Sequence, residues 1–298
     1  MIFVHRAGSW DLGERARVVG ILNLTPDSFY DGGRYAEPSA ALARAEAMAA
    51  EGADAIDVGA QSTRPGGEPP IGAEAEWERL RPVLPGLIRL GLPVSIDTWR
   101  VGVARRALEA GAAIVNDITG LTAEPAIARE AAAAGAGLVI MHSRGGPDHL
   151  HDPVEYDNVV EEVRGFLIAQ WNAAAAAGVP NERIALDPGI GFSKRAPQSL
   201  AVLYGLPRLT SLGRPLYIGV SRKSFLGHVT GRPAEERLAA GLGATVAARL
   251  RGGGIFRTHD VRETVDAIRM AEAIVNPDRA GAHEPAPSRE PAPSKTRA

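Results

Sequence analysis

The chain alternates between two hydrophobic rhythms. A stretch of helical periodicity closes on a glycine, and a short, β-branched, uniformly apolar run follows within a few residues. The glycines are Gly52, Gly91, Gly111, Gly135, Gly178, Gly213 and the cluster Gly252, Gly253 and Gly254. The runs after them are 55–58, 94–96, 114–115, 138–141, 184–186, 216–220 and 255–256. Glycine suits the position just past a helix, where a left-handed backbone is often needed. With the opening run 18–24 the pattern predicts eight strands. Val261, Val265, Ile268, Ala271 and Val275 place a final helix with one apolar face. Strands that are apolar throughout belong to a parallel sheet covered on both sides. Eight alternating units in about 260 residues predict an α/β fold, a (β/α)8 TIM barrel. The alternative is an open doubly wound sheet, which usually has fewer strands; no Gly-x-Gly-x-x-Gly follows the first strand here.

The periodicity stops near Asn276, and the segment 284–288 (Glu-Pro-Ala-Pro-Ser) recurs at 290–294. Proline at that density fixes extended backbone and leaves little apolar surface to bury. One barrel domain over 1–276 and a disordered tail over 277–298 are expected.

Composition narrows the class. Of 298 residues, 45% are apolar and 23% charged, which is the globular range. There is no cysteine, which excludes a disulfide framework, a thiol nucleophile and thiolate metal sites, and fits a reducing compartment. Lys plus Arg total 33 against 35 acids, a net charge of -2, and the arginines are scattered. That is no nucleic-acid footprint. The longest uncharged apolar run, 131–141, is eleven residues; a membrane span takes about 20. The N-terminal Met-Ile-Phe-Val-His-Arg lacks a secretory apolar core. A soluble, cytoplasmic protein without nucleic-acid or membrane partners is expected.

Barrels of this kind keep their active site at the C-terminal ends of the strands. Here those ends carry Asn23, Asp57, Asp97, Asn116 with Asp117, His142, Asp187, Ser221 with Arg222 and Lys223, and Arg257 with His259. Every predicted strand delivers a polar group, which a purely structural barrel has no reason to do. Taken singly, Asp57 or Asp117 reads equally well as a site residue or as a structural group, a helix cap or a strand-end partner. Two long loops at the same rim, 25–33 and 61–67, are rich in Gly and Pro and carry hydroxyls and charges. They read as lids that exclude water.

Asp97, Asn116 and Asp187 come from the third, fourth and sixth strands and converge on the barrel axis. Ionised carboxylates only accept, while Asn also donates. Together they suit a flat heterocycle with adjacent N–H donors and a carbonyl, as in the 2-amino-4-oxo edge of a pterin or guanine. A metal centre is the competing reading of the same three residues. Ser221-Arg-Lys-Ser224 opens a predicted helix, with N–H groups and two cations suited to an anion. Arg257 and His259 share a face at the corner where barrels often bind phosphate. A phosphorylated heterocycle is the simplest substrate, and no Walker A pattern is present.

Several strings in one order carry a resemblance. They are Gly20-Ile-Leu-Asn-Leu-Thr-Pro-Asp-Ser-Phe29 with Asp31-Gly-Gly33, Ile56-Asp-Val-Gly59 with Ser62-Thr-Arg-Pro-Gly66, Asp187-Pro-Gly189 with Gly191-Phe192, Ser221-Arg-Lys-Ser224, and Arg257 with His259. From about Arg17 to Ala273 the chain resembles the dihydropteroate synthases, folate-pathway enzymes inhibited by sulfonamides. The resemblance implies transfer of the methylene carbon of 6-hydroxymethyl-7,8-dihydropterin pyrophosphate to the amine of 4-aminobenzoate. The products are 7,8-dihydropteroate and pyrophosphate, with Mg2+ present, and the protein is a homodimer. Carried over by position, Asp97, Asn116, Met141, Asp187, Lys223 and Arg257 bind the pterin. Asn23, Thr63, Arg64, Arg257 and His259 bind the pyrophosphate, and Asn23 also meets the Mg2+. Phe29, Thr63, Pro65, Phe192, Lys223 and Ser224 form the aminobenzoate pocket. Asp27, Asp31, Arg64, Asp97 and Lys223 are the implied catalytic set.

The implied chemistry is dissociative. Pyrophosphate leaves first, the anion is neutralised by Mg2+, Arg257 and His259, and the pterin carboxylates favour the developing cation. Closed loops keep water from capturing that cation. The chain departs from the usual pattern at Gln61 (commonly Glu), Tyr30 (commonly small) and Ser193 (commonly Gly). These departures bear on loop closure, aminobenzoate affinity and sulfonamide sensitivity. Two rival readings are a pterin-binding methyltransferase barrel serving a corrinoid and a catalytically silent pterin-binding paralogue. The loop motifs and the Arg257/His259 pair argue against the first. The second expects eroded motifs, and none is evident.

Overall fold

The computed structural model describes residues 1–25, 38–61 and 70–279. Two short antiparallel strands open the chain, β1 (Ile2–His5) and β2 (Gly8–Asp11). Eight parallel strands follow: β3 (Arg17–Asn23), β4 (Ala55–Gly59), β5 (Val94–Asp97), β6 (Ile114–Asp117), β7 (Gly137–Met141), β8 (Ile184–Asp187), β9 (Tyr217–Gly219) and β10 (Ile255–Thr258). The helices between them are α1 (Pro38–Ala50), α2 (Ala73–Leu80), α3 (Leu84–Arg89), α4 (Val101–Ala110), α5 (Ile127–Ala134), α6 (Val159–Ala176), α7 (Ala196–Tyr204), α8 (Leu206–Thr210), α9 (Ser224–Thr230), α10 (Leu238–Leu250) and α11 (Val261–Val275).

Each of the eight predicted runs is a strand. Neighbours follow chain order from β3 to β8, β10 pairs with β3, and β9 pairs with β10. A parallel bridge from Leu186 to Leu216 joins β8 to the approach of β9, and the sheet closes into a (β/α)8 barrel. The helix-ending glycines behave as the pattern requires. Gly111 and Gly135 take left-handed backbone with φ of 116° and 62°, and each returns its N–H to the last turn of α4 or α5.

The final helix has the predicted bounds, but its apolar face is shorter. Val261, Val265, Ile268 and Ala271 are buried, whereas Val275 in the last turn is exposed. Of the expected disordered tail, Pro277–Arg279 form a single 3-10 turn. Residues from 280 onward lie outside the described residues. Among the described residues no helix is long and apolar enough to cross a membrane.

Strand side chains alternate in direction, so the barrel has two separate cores. Ile56, Val58, Ile96, Val115, Leu138, Ile140, Ile184, Leu186 and Ile218 pack outward against the helices. Val19, Ala55, Ile114, Val139, Ala185, Tyr217 and Ile255 point inward and form a second cluster with Phe3, Trp10 and Leu12. The β1–β2 hairpin therefore stoppers the N-terminal mouth. Its Phe3 and Trp10 rings lie 5.7 Å apart, and neither strand was expected from the sequence.

Candidate active site

Two residues further along, most of the inward-facing strand positions are polar. Ala55 gives way to Asp57, Ser95 to Asp97, Ile114 to Asn116, Val139 to Met141, Ala185 to Asp187 and Ile255 to Arg257. The C-terminal mouth holds a cleft of about 60 Å³ lined by Ile21, Asp97, Asn116, Ile118, Met141, Asp187, Phe192, Gly219, Ser221, Lys223, Arg257 and His259. A larger surface groove beside α10 and α11, lined by Leu250, Met270 and Val275, draws on no strand end. Its Arg249 and Glu272 pair with each other at 2.8 Å.

Arg257 organises the floor. Its Nε donates to Asp57 Oδ2 at 2.6 Å and its terminal nitrogen to Asp97 Oδ2 at 2.7 Å. Asn116 Nδ2 donates to the same Asp57 oxygen at 3.1 Å. Among the described residues, the buried Asn116 Oδ1 has no partner, which leaves an acceptor for a ligand N–H. Burial pushes the Asp97 carboxyl up to about 7, against the pull of Arg257. Burial works against the Arg257 charge, but Asp57 and Asp97 more than offset it and hold the guanidinium charged.

The opposite wall is built on β8 and β9. Asp187 Oδ1 accepts from Gly189 N at 2.7 Å, and burial raises this carboxyl to about 6 against that bond and Lys223. Lys223 Nζ donates to Ile190 O at 2.6 Å and stands 3.7 Å from the centre of the Phe192 ring. Burial draws its ammonium down to about 7, with Asp187 opposing. Ser221 Oγ and His259 Nδ1 are 3.0 Å apart at the cleft edge.

Residues 19–259 match the profile of a known family, described as Pterin binding enzyme. A dihydropteroate synthase of Synechocystis is 44% identical over 267 residues, covering 89% of this chain and 92% of the relative. The chain belongs to this family. Among solved structures, Xanthomonas albilineans dihydropteroate synthase with 4-aminobenzoic acid has a TM-score of 0.84 and 40% identity, covering 90% of this chain and 96% of that one. The same enzyme in complex with 7,8-dihydropteroate gives a TM-score of 0.81 and 37% identity over the same shares.

Within this pterin binding enzyme, the expected residues Asp97, Asn116, Met141, Asp187, Phe192, Lys223, Arg257 and His259 line one cleft. Asn23 ends β3 at the same mouth, level with Gly59 of β4. Ser224 opens α9 and is exposed. Asp27, Phe29, Asp31, Thr63, Arg64 and Pro65, and with them Tyr30 and both expected lids apart from their first residues Thr25 and Gln61, lie outside the described residues.

The structure decides two open readings and corrects one expectation. Asp57 and Asp117 read alike in the sequence but have different tasks. Asp117 accepts from Thr119 N, Thr119 Oγ1 and Leu121 N and so ties down its own turn, while Asp57 holds Arg257 and Asn116. Arg222 does not stand beside Lys223 as a second cation for an anion; it turns away with a φ of 58° and pairs with Asp260 at 2.5 Å. A metal centre built on Asp97, Asn116 and Asp187 does not fit, because Arg257 bridges Asp57 and Asp97. Among the described residues no three His, Asp or Glu side chains are grouped to hold a metal. Asn23 offers one hard amide oxygen. That suits a Mg2+ that takes its other ligands from phosphate and water, as this ion usually does.

Asp57 as the anchor of Arg257, and the lining by Ile21, Ile118 and Gly219, were not assigned from the sequence. The alternation in Ala55-Ile-Asp-Val-Gly59 held the signal for Asp57, since the residue two after an inward-facing Ala55 must face inward too.

Proposed function

We propose that this chain catalyses the dihydropteroate synthase reaction, joining 6-hydroxymethyl-7,8-dihydropterin pyrophosphate to 4-aminobenzoate with release of pyrophosphate. The observation that carries this reading is the single cleft in which Asp97, Asn116, Asp187 and Lys223 face Arg257 and His259. Acceptors and an amide meet the Arg257 guanidinium on the floor, and His259 stands with Ser221 at the cleft edge, where an anion would leave.

In this reading Asp97, Asn116 and Asp187 hold the donor edge of the pterin, and Lys223 donates to its carbonyl. The reaction breaks the bond between the methylene carbon and the pyrophosphate oxygen and forms the bond from that carbon to the aniline nitrogen, which then loses a proton. The aniline is unprotonated near neutrality, so the chain need not supply a strong base. Its task is electrostatic: carboxylates favour charge developing on the pterin, while Arg257 and His259 receive the departing anion. Asp57 keeps Arg257 in place for both. A Mg2+ held by Asn23 and the pyrophosphate would lower the charge on the leaving group. Phe192, Lys223 and Ser224 border the aminobenzoate, and the family resemblance assigns Asp27, Phe29, Asp31, Thr63, Arg64 and Pro65 to the same reaction. We further propose a cytoplasmic homodimer, a reading that rests on the family resemblance.

A coupled pyrophosphate assay with both substrates, with and without Mg2+, tests the function. Pyrophosphate release should require 4-aminobenzoate, and Lys223→Ala should lower kcat/KM by about 10²-fold or more through loss of a buried charged donor. Pterin binding without product would overturn the reading.

A further inference from the structure

Lys194 is not among the residues lining the cleft, yet its side chain is buried and, among the described residues, no carboxylate pairs with it. Its Nζ instead meets His142 Nδ1 at 2.8 Å, Gly189 O at 3.0 Å and Phe192 O at 3.1 Å. An ammonium has three N–H donors, and these are three acceptors. His142 is kept neutral, its pKa drawn down to about 2 by burial first and by the Lys194 charge second, so Nδ1 can accept.

The two carbonyls belong to the loop after β8, which carries Asp187 at its start and Phe192 near its end. The loop is tight. Gly189 has a φ of 66°, a Cβ there would run into the His142 carbonyl, and Phe192 N donates back to Gly189 O at 3.1 Å. Asp187 has supports of its own: its carbonyl accepts from His142 N at 2.8 Å and its carboxylate from Gly189 N. Phe192 leans on Lys194 more directly, because its own carbonyl is one of the three acceptors. Its ring is stacked on His151, with centroids 4.9 Å apart, and also meets the Lys223 ammonium.

We propose that Lys194 is a positioning residue. From outside the cleft lining it fixes the carbonyls of Gly189 and Phe192 and thereby sets the Phe192 ring on the aminobenzoate side, touching neither substrate. This inference rests on the function proposed above. Two lysines then hold one loop, Lys223 at Ile190 and Lys194 at Gly189 and Phe192.

The test is steady-state kinetics of full-length Lys194→Met with each substrate varied in turn. Two buried carbonyls lose their donor, so KM for 4-aminobenzoate should rise roughly tenfold while KM for the pterin substrate moves less than about twofold. Lys194→Gln keeps two N–H donors and should fall in between. In a cycle with Phe192→Leu, Lys194→Met should add less than about twofold to the aminobenzoate KM, because it acts through that ring. If the Met variant does not fold, the Gln variant is carried through the same comparison. Equal rises in both KM values, or full additivity with Phe192→Leu, overturn the role of Lys194. A wild-type protein that forms no dihydropteroate in this assay overturns the functional reading instead.

Discussion

The two ends of the barrel axis are made by the same eight strands, one inward-facing residue apart, and they obey different physics. At the N-terminal end Val19, Ala55, Ile114, Val139, Ala185 and Ile255 meet the Phe3 and Trp10 rings of the hairpin. Apolar burial is non-directional, so this end needs volume and shape rather than exact partners. At the other end Asp57, Asp97, Asn116 and Arg257 are locked by hydrogen bonds of 2.6–3.1 Å, where each group depends on its neighbour. One step along each strand thus separates what holds the barrel shut from what the barrel does.

Phe3→Ala probes the sealed end and carries the largest expected effect. Phe3 is fully buried, and truncating such a ring costs about 3–5 kcal/mol. Tm should fall by roughly 10 °C, while kcat measured well below the transition stays within about twofold. A kcat that drops in step with stability would show that the two ends are one unit. Asp97→Asn probes the open end and should do the reverse. It keeps the side-chain shape but removes the charge that faces Arg257 and the substrate. Turnover should fall about 10²–10³-fold with no loss of Tm relative to wild type. A fall in Tm as large as that of Phe3→Ala breaks the comparison from the other side.

What could be read in advance follows the same divide. Every barrel strand was legible, because inward and outward positions are both buried and leave an unbroken apolar run such as 138–141. The convergence of Asp97, Asn116, Asp187 and Arg257 was legible too, since strand ends in a closed barrel must share one mouth. The hairpin was not. Each of its strands has four residues, with only Phe3, His5 and Trp10 buried, too little to stand out as a period. Nor was the bond from Asp57 to Arg257, which are 200 positions apart, or the contact of Lys194 with His142, 52 apart. Spacing in one sequence says that such groups are present at a rim, but the choice of partner is settled by distances of a few tenths of an ångström.

Stability against pH gives the finest comparison, because the two ends should slope in opposite directions. Asp97 has a folded pKa of about 7 against an ordinary 3.8, raised chiefly by burial. The folded state therefore takes up this proton more readily, and the stability it contributes is present in full below 3.8 and lost as pH rises through about 7. Asp187, raised to about 6, runs the same way. His5 in the hairpin is the mirror case. Burial, then Arg183 and Arg17, draw it from 6.5 to about 4, so the folded state refuses a proton that the unfolded chain accepts. Its contribution is present above 6.5 and lost as pH falls towards 4. His5→Gln should therefore flatten the acid side of the curve by about 2–3 kcal/mol between pH 6.5 and 4, as read from urea unfolding at a series of pH values. Asp97→Asn should instead remove a fall in stability between pH 4 and 7. A His5→Gln curve parallel to wild type would mean that the imidazole titrates as it does in water, and the stoppered end would then be wetter than its packing implies.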